Sequence, residues 1–195
     1  MAPHADRRNI LRLAEKVRRH AKESVSKSRY RHSVRTAETA VRLCLRYGLD
    51  EDSGYLAGIA HDMCKDWSAP LLLKAAAQDG APISSLEWEE PAFLHGRAAA
   101  VLLRTKFGVD DEDVIEAVAV HTFGRIGMCP LAKAVYIADK IEPGRDCSSE
   151  SALTRLLELD LDGLLKKILS DGICFLKEKG KAVAPESEQL LESLR

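Results

Sequence analysis

Apolar residues recur along this chain at helical spacing, and alternating runs of strand length are absent. Leu56, Ile59, Ala60 and Met63 form one stripe. Val114, Val118 and His121 form a second, spaced i, i+4, i+7, and Leu131, Val135 and Asp139 a third, spaced i, i+4, i+8. The pattern predicts helices at about 7–23, 28–47, 52–65, 69–79, 91–107, 111–122, 130–140, 151–158, 161–179 and 186–194. Gly48, Gly80, Gly108 and Gly180 stand where helices should stop. Ser84 and Glu87 have capping-box spacing for a short turn before Pro91. Asp110, Asp111, Glu112 and Asp113 load the start of a helix with the charge its dipole favours. Segments 80–90 and 143–149 are the main loops, and no internal repeat or linker appears. The expected architecture is all-α, one compact helical domain over 1–195, with a core at about 28–142 and C-terminal helices at about 150–195.

Composition narrows the class. A chain of 195 residues with 46% hydrophobic and 30% charged residues can bury a substantial core. The net charge of −1 gives no global excess that would attract nucleic acid. No apolar run approaches a membrane span, and the N-terminus lacks the apolar segment of a secretory signal. Five dispersed cysteines without a C-x-x-C pair read as reduced thiols, so a cytoplasmic location is expected. Cys64 lies near His61 and Asp62, but a small buried hydrophobe is the preferred reading of it.

Two stripes end on a polar residue, and there the chemistry starts. Asp139 lies on the apolar face of its helix, where a carboxylate is costly unless a metal ion or an arginine pairs with it. His121 sits at the inner end of its own helix, as a ligand or as a hydrogen-bonded core residue. His61 and Asp62 are adjacent at the end of an apolar helix and point about 100° apart. Both can reach one ion at the helix edge, and the two carboxylate oxygens allow Asp62 to bridge two. His95 precedes Gly96, which should leave open space beside its ring, and His32 lies early in the second helix. Four histidines on four helices with an aspartate on a fifth suit a metal site built in a bundle core. His4 and His20 read as surface residues. No paired-cysteine zinc motif, H-E-x-x-H or G-x-S-x-G is present.

Cations accompany the series. Lys65 follows His61 by four residues, which places it on the same helical side. Arg29, Arg31 and Arg35 flank His32, Arg125 follows His121, and Arg145 follows Asp139. Such residues either decorate the surface or bind phosphate oxygens, for which arginine offers two parallel donors. Trp67, Phe123 and Tyr136 could stack a base, although core packing is the preferred reading of each.

The H…HD…D order of His32, His61-Asp62 and Asp139 resembles the HD-domain metal-dependent phosphohydrolases. More narrowly, the chain resembles the YqeK-type bacterial HD-domain proteins, the symmetrical diadenosine tetraphosphate hydrolases. The matching stretches are Ser28-Arg-Tyr-Arg-His-Ser-Val-Arg35, Ala57-Gly-Ile-Ala-His-Asp-Met-Cys-Lys65, Leu94-His-Gly96, His121-Thr-Phe-Gly-Arg125 and Tyr136-Ile-Ala-Asp-Lys-Ile-Glu-Pro-Gly-Arg145. They cover nearly the whole chain, about residues 7 to 180, and the Ile141–Arg145 tail is far more specific than the HD dipeptide. The resemblance implies an all-α HD-domain helical bundle with a di-iron site. His32, His61, Asp62 and Asp139 would hold one ion, and Asp62 would bridge to a second completed by His95 and His121. It also implies that Lys65, Arg125 and Arg145 face phosphates. Three positions depart from the pattern. Phe123 stands where a second threonine is expected, Lys140 where an aromatic is common, and the stretch from Lys181 to Glu186 lacks a histidine.

The expected function is therefore a phosphohydrolase that cuts diadenosine tetraphosphate symmetrically to two ADP. Two divalent transition-metal ions, iron by resemblance, would lower the pKa of a shared water and supply a bridging hydroxide. Asp62, Lys65 and Arg145 are the candidate catalytic residues. Manganese, cobalt, nickel or zinc would suit the same donors. The alternatives are hydrolysis of another nucleotide or a cyclic dinucleotide, a non-catalytic nucleotide-sensing module, and a di-iron oxygenase. The expected partner is a dinucleoside polyphosphate, with no nucleic acid and no membrane, and oligomeric state is left open, with a homodimer one option.

Overall fold

A computed structural model describes residues 4–145 and 158–194, with side chains from residue 7. The expected helix at 151–158, Cys147 and the His4 side chain fall outside the described residues or at their edge. Among the described residues the structure is helices joined by turns, with no strand. Helix α1 spans His4–Ser24, α2 Lys27–Tyr47, α3 Glu51–Ala60 and α4 Ala69–Ala76. After them come α5 (Ser85–Glu89), α6 (His95–Leu102), α7 (Glu112–Val120) and α8 (Pro130–Ile141). Two C-terminal helices follow, α9 (Leu161–Glu178) and α10 (Pro185–Ser193).

Local chemistry sets the boundaries. Ser26, Asp50, Asp111 and Asp160 cap α2, α3, α7 and α9 by accepting a backbone N–H from inside the helix. Ser84 and Glu87 form a reciprocal capping box at α5. Gly48 ends α2 in the left-handed region, at φ 70°, where a side chain would be strained.

Three predicted helices are broken: that over 69–79 passes from α4 into a 3₁₀ turn at Ala77–Asp79, and the other two break at the histidine series. The helix expected over 52–65 ends at Ala60, and residues 61–67 continue in tight turns. There the amides of Met63, Lys65 and Trp67 bond the carbonyls three residues back. The helix expected over 91–107 runs as a 3₁₀ turn (Pro91–Leu94), then α6, then a π turn (Leu103–Phe107). Pro91 starts the first piece without an N–H, and His95 begins the α-helical piece.

Helix α3 lies at the centre, packed against α1, α2, α7 and α8. Its small residues allow the close approach. A Cβ on Gly58 would lie 2.6 Å from the Ala37 Cα of α2, and one on Gly54 would lie 2.5 Å from Cys44 Sγ. Leu43, Leu56, Ile59, Met63, Val118, Val135 and Ile137 fill the core around these contacts. Arg97 organises the 80–90 segment, donating to Asp79, Glu87 and the carbonyls of Ala81 and Pro82. Helix α10 closes the loop after α7. Ser187 Oγ donates to Phe123 O at 2.7 Å, and Leu190 packs on Gly124.

Candidate metal centre and catalytic cleft

Five segments deliver the six predicted side chains to one place. His32 comes from the second turn of α2, His61 and Asp62 from the turns after α3, His95 from the first residue of α6, His121 from the end of α7 and Asp139 from the last turn of α8. His61, Asp62, His95, His121 and Asp139 are buried and His32 nearly so. They form two overlapping groups. His32 Nε2 lies 3.0 Å from Asp139 Oδ1 and 3.2 Å from His61 Nε2. Asp62 Oδ2 stands 3.8 Å from His61 Nε2 and 3.9 Å from His32 Nε2. In the second group, His95 Nε2 lies 2.9 Å from His121 Nε2. Asp62 Oδ1 sits 3.0 Å from the first and 3.8 Å from the second. The two oxygens of Asp62 thus face different histidine pairs.

The outer nitrogen of each ring fixes what the inner one can do. His61 Nδ1 donates to Gly58 O at 2.7 Å, His95 Nδ1 to Ala92 O at 2.7 Å, and His121 Nδ1 to Val118 O at 2.8 Å. A carbonyl only accepts, so each Nδ1 carries its proton and each neutral ring turns an Nε2 lone pair inward. His32 Nδ1 faces Glu142 Oε1 at 3.1 Å, which leaves its Nε2 facing Asp139 and His61. Burial pushes His61 down toward the neutral imidazole, and takes His121 down to about 3. For His32, burial opposes protonation, but bonding to Asp139 and Glu142 outweighs it and raises the ring above its ordinary value. Burial likewise opposes ionisation of Asp62, yet attraction to His61 and hydrogen bonds at His121 and His95 hold it well below the carboxylate range, an effect that calls for positive charge among those rings. Lys140 and His32 do the same for Asp139. The neutral imidazoles of His61 and His121 and the ionised carboxylates of Asp62 and Asp139 are the ligand states that metals require, and at His32 an ion would compete with a proton. The His95 and His121 Nε2 atoms, 2.9 Å apart with both Nδ1 protons committed to carbonyls, turn lone pairs toward each other and repel unless a cation lies among them. The donor set therefore fits two divalent ions of borderline softness, with Asp62 shared.

Glu142 lies in the specific Ile141–Arg145 tail, but the sequence pattern assigned it no role. Lying three residues after Asp139, it is buried at the end of α8 and accepts from His32, Arg35 and the Gly144 amide. Burial opposes its ionisation, but Arg35, the Gly144 amide and His32 bring the carboxyl down to about 2. A carboxylate behind a ligating histidine orients the ring and raises its basicity. Nothing in helical periodicity distinguishes Glu142 from a surface glutamate.

Gly96 does a different job from the one expected. The space beside it holds the His121 ring rather than serving His95: a Cβ there would lie 2.9 Å from His121 Nδ1, from its Cε1 and from Val118 O. Gly96 is what allows α6 and α7 to bring their histidines together.

Above the six side chains opens a cleft of about 750 Å³, lined by polar and charged residues and one glycine. Lys65 lines it, with Nζ 3.1 Å from His95 Nε2, although the segment between His61 and Lys65 is turns and not the expected helix. Arg145 lines it too, donating to Asp139 Oδ1 at 2.8 Å. Arg29 does so while paired with Asp66 at 2.7 Å. Arg125 lies outside this lining, exposed and paired with Glu116, and Arg31 is exposed outside it. Of the aromatics, Tyr136 is buried, Phe123 packs on Phe93 at 5.0 Å and Trp67 packs against the core. His20 contacts Ser24, Lys106 and Phe107 and does not line the cleft. Cys64 is a core residue, its thiol pushed up to about 12 by burial. Asp113, Glu116 and Cys129 make a separate group near the start of α8. Two of its members are already engaged, Cys129 as the α8 cap and Glu116 with Arg125 and the Cys129 amide.

Comparison with known proteins matches residues 29–144 to the HD domain. The chain belongs to the HD-domain family. It is similar to a Bacillus subtilis protein named bis(5'-nucleosyl)-tetraphosphatase, symmetrical, at 32% identity over 85% of this chain and 89% of the relative. A Staphylococcus aureus protein of the same name is 38% identical over 67% of each chain. A crystal structure from Clostridium acetobutylicum, described as a predicted HD superfamily hydrolase involved in NAD metabolism, superposes with a TM-score of 0.84. It is 30% identical and covers 92% of this HD-domain chain and 95% of its own. No helix among the described residues is long and apolar enough to cross a membrane.

Proposed function

We propose that this HD-domain protein hydrolyses dinucleoside tetraphosphates symmetrically, giving two ADP from diadenosine tetraphosphate. The observation that carries the reading is the convergence of four imidazole Nε2 atoms and two ionised aspartates beneath a cleft lined by cations. Its relatives named as symmetrical tetraphosphatases support the choice of substrate. His32, His61, Asp62 and Asp139 would hold one ion, and Asp62, His95 and His121 the second, with iron the proposed metal. When bound, such a pair supplies Lewis acidity and a water of near-neutral pKa, the hydroxide nucleophile for in-line attack on phosphorus.

The chain's own residues do the remaining work. Asp62 offers one oxygen to each histidine group and so sets their spacing. The Gly58, Ala92 and Val118 carbonyls lock three rings in one tautomer, and Glu142 orients His32, before any ligand arrives. Lys65 and Arg145 would meet the phosphoryl oxygens and stabilise the charge that develops on the leaving nucleotide. Arg125, paired outside the cleft, is set aside from this clamp.

The test is product analysis with metal-loaded protein in ¹⁸O-labelled water. ADP should be the only nucleotide product, with the label on one terminal phosphate of the two. A mixture of AMP and ATP, or no turnover by protein shown to contain metal, would refute the assignment.

A further inference from the structure

Asp139 lies within reach of two cations, and they are not equivalent. Arg145 takes the Oδ1 side, which also faces His32 and His61. Lys140 takes Oδ2, with Nζ at 2.5 Å. The same ammonium sits 4.7 Å from the centre of the buried Tyr136 ring, one helical turn earlier on α8. A carboxylate on one side and a ring face on the other hold Nζ at one place on the cleft wall. An ammonium has three donors. Asp139 takes one, no other hydrogen-bond acceptor for Lys140 occurs among the described residues, and the side chain is about one-third exposed where it lines the cleft. Arg29 and Arg35 on the same cleft are likewise paired with carboxylates, Asp66 and Glu142.

We propose that Lys140 is a substrate-binding residue that donates to non-bridging oxygens of the polyphosphate chain, held in position by Asp139 and Tyr136. The proposal rests on the phosphohydrolase reading above and adds a residue to it. Pre-placement matters because a lysine already held in one geometry loses little side-chain freedom when phosphate arrives. One charge-assisted contact at a partly open wall corresponds to about tenfold in affinity.

The experiment compares metal-loaded wild type, Lys140→Met and Lys140→Arg. Calorimetry with inorganic tripolyphosphate is the binding readout, alongside metal content and steady-state kinetics on diadenosine tetraphosphate. Lys140→Met should keep its metal, bind tripolyphosphate about tenfold more weakly and raise KM by a similar factor, with kcat within about threefold. Lys140→Arg should recover most of both losses. Unchanged tripolyphosphate affinity in Lys140→Met overturns the proposal. So does loss of metal from that variant, because Lys140 would then act only through Asp139. If wild type binds tripolyphosphate in the expected order but leaves diadenosine tetraphosphate uncut, the substrate reading fails and the Lys140 contact stands.

Discussion

Adding one methyl group at Gly96 tests how the second histidine group is assembled. Gly96 is the second residue of α6 and its φ is not positive, so alanine suits the backbone and only space is at issue. The new Cβ would meet His121 Nδ1, His121 Cε1 and Val118 O, all at 2.9 Å, where ordinary contact begins near 3.4 Å. Relief requires about 0.5 Å of movement, and the two obstacles are bonded to each other, since Val118 O accepts from His121 Nδ1. The ring cannot rotate aside without breaking the bond that fixes its tautomer. Overpacking of this kind costs about 1–3 kcal/mol, partly offset by up to about 1 kcal/mol of helix propensity from glycine to alanine. A net loss of about 1–2 kcal/mol lowers Tm by roughly 2–8 °C in a chain of this size. Function should suffer more than stability, because displacement of a ligand by about 0.5 Å exceeds what a preorganised site tolerates. We expect Gly96→Ala to fold, to retain the ion held by His32, His61 and Asp139, and to lose most of the ion held by His95 and His121. Its kcat/KM should drop by about 10²-fold. Elemental analysis, calorimetric melting and product assay read the three quantities. Wild-type metal stoichiometry and activity in Gly96→Ala would falsify the account of how α6 and α7 meet.

Two further predictions follow from the same geometry and from the loop beside it. Asp62→Ala should lose both ions more readily than His95→Ala, since only Asp62 reaches both histidine groups; equal losses, read by metal analysis, would show that the groups do not share a ligand. Asp79→Asn should lower stability by about 1–2 kcal/mol near neutral pH, by removing a two-bond contact with Arg97. Burial raises the Asp79 carboxyl, but Arg97 and the Ala81 amide lower it further, so its folded value lies below the ordinary 3.8. The stabilisation is therefore fully present above about pH 4 and disappears as pH falls through the folded value; a Tm difference that persists or grows in strong acid would contradict this.

The helices and the identities of the six polar residues were legible in the sequence, because both are local properties. Periodicity marks which side of a helix is buried, and a polar residue on that side needs a partner, which is why Asp139 and His121 stood out. The capping box at Ser84 could be read for the same reason: its atoms are three residues apart. What the sequence left open depends on distances between segments that are remote along the chain. Periodicity extended α3 through Lys65, because burial near a core looks helical even where turns of three residues replace the helix. It assigned the space beside Gly96 to His95, because only the packing of α6 on α7 brings the His121 ring there. Arg125 and Lys140 are both cations that follow a predicted ligand, yet one pairs with Glu116 outside the cleft and the other lines it. Glu142 stood in the specific Ile141–Arg145 tail but its role stayed hidden, since its partners lie 110 and 107 residues away on α2. Residue type determines what a side chain can do. The direction in which each helix end points determines which neighbours it does it with, and that is set by close packing of glycine and alanine faces around α3.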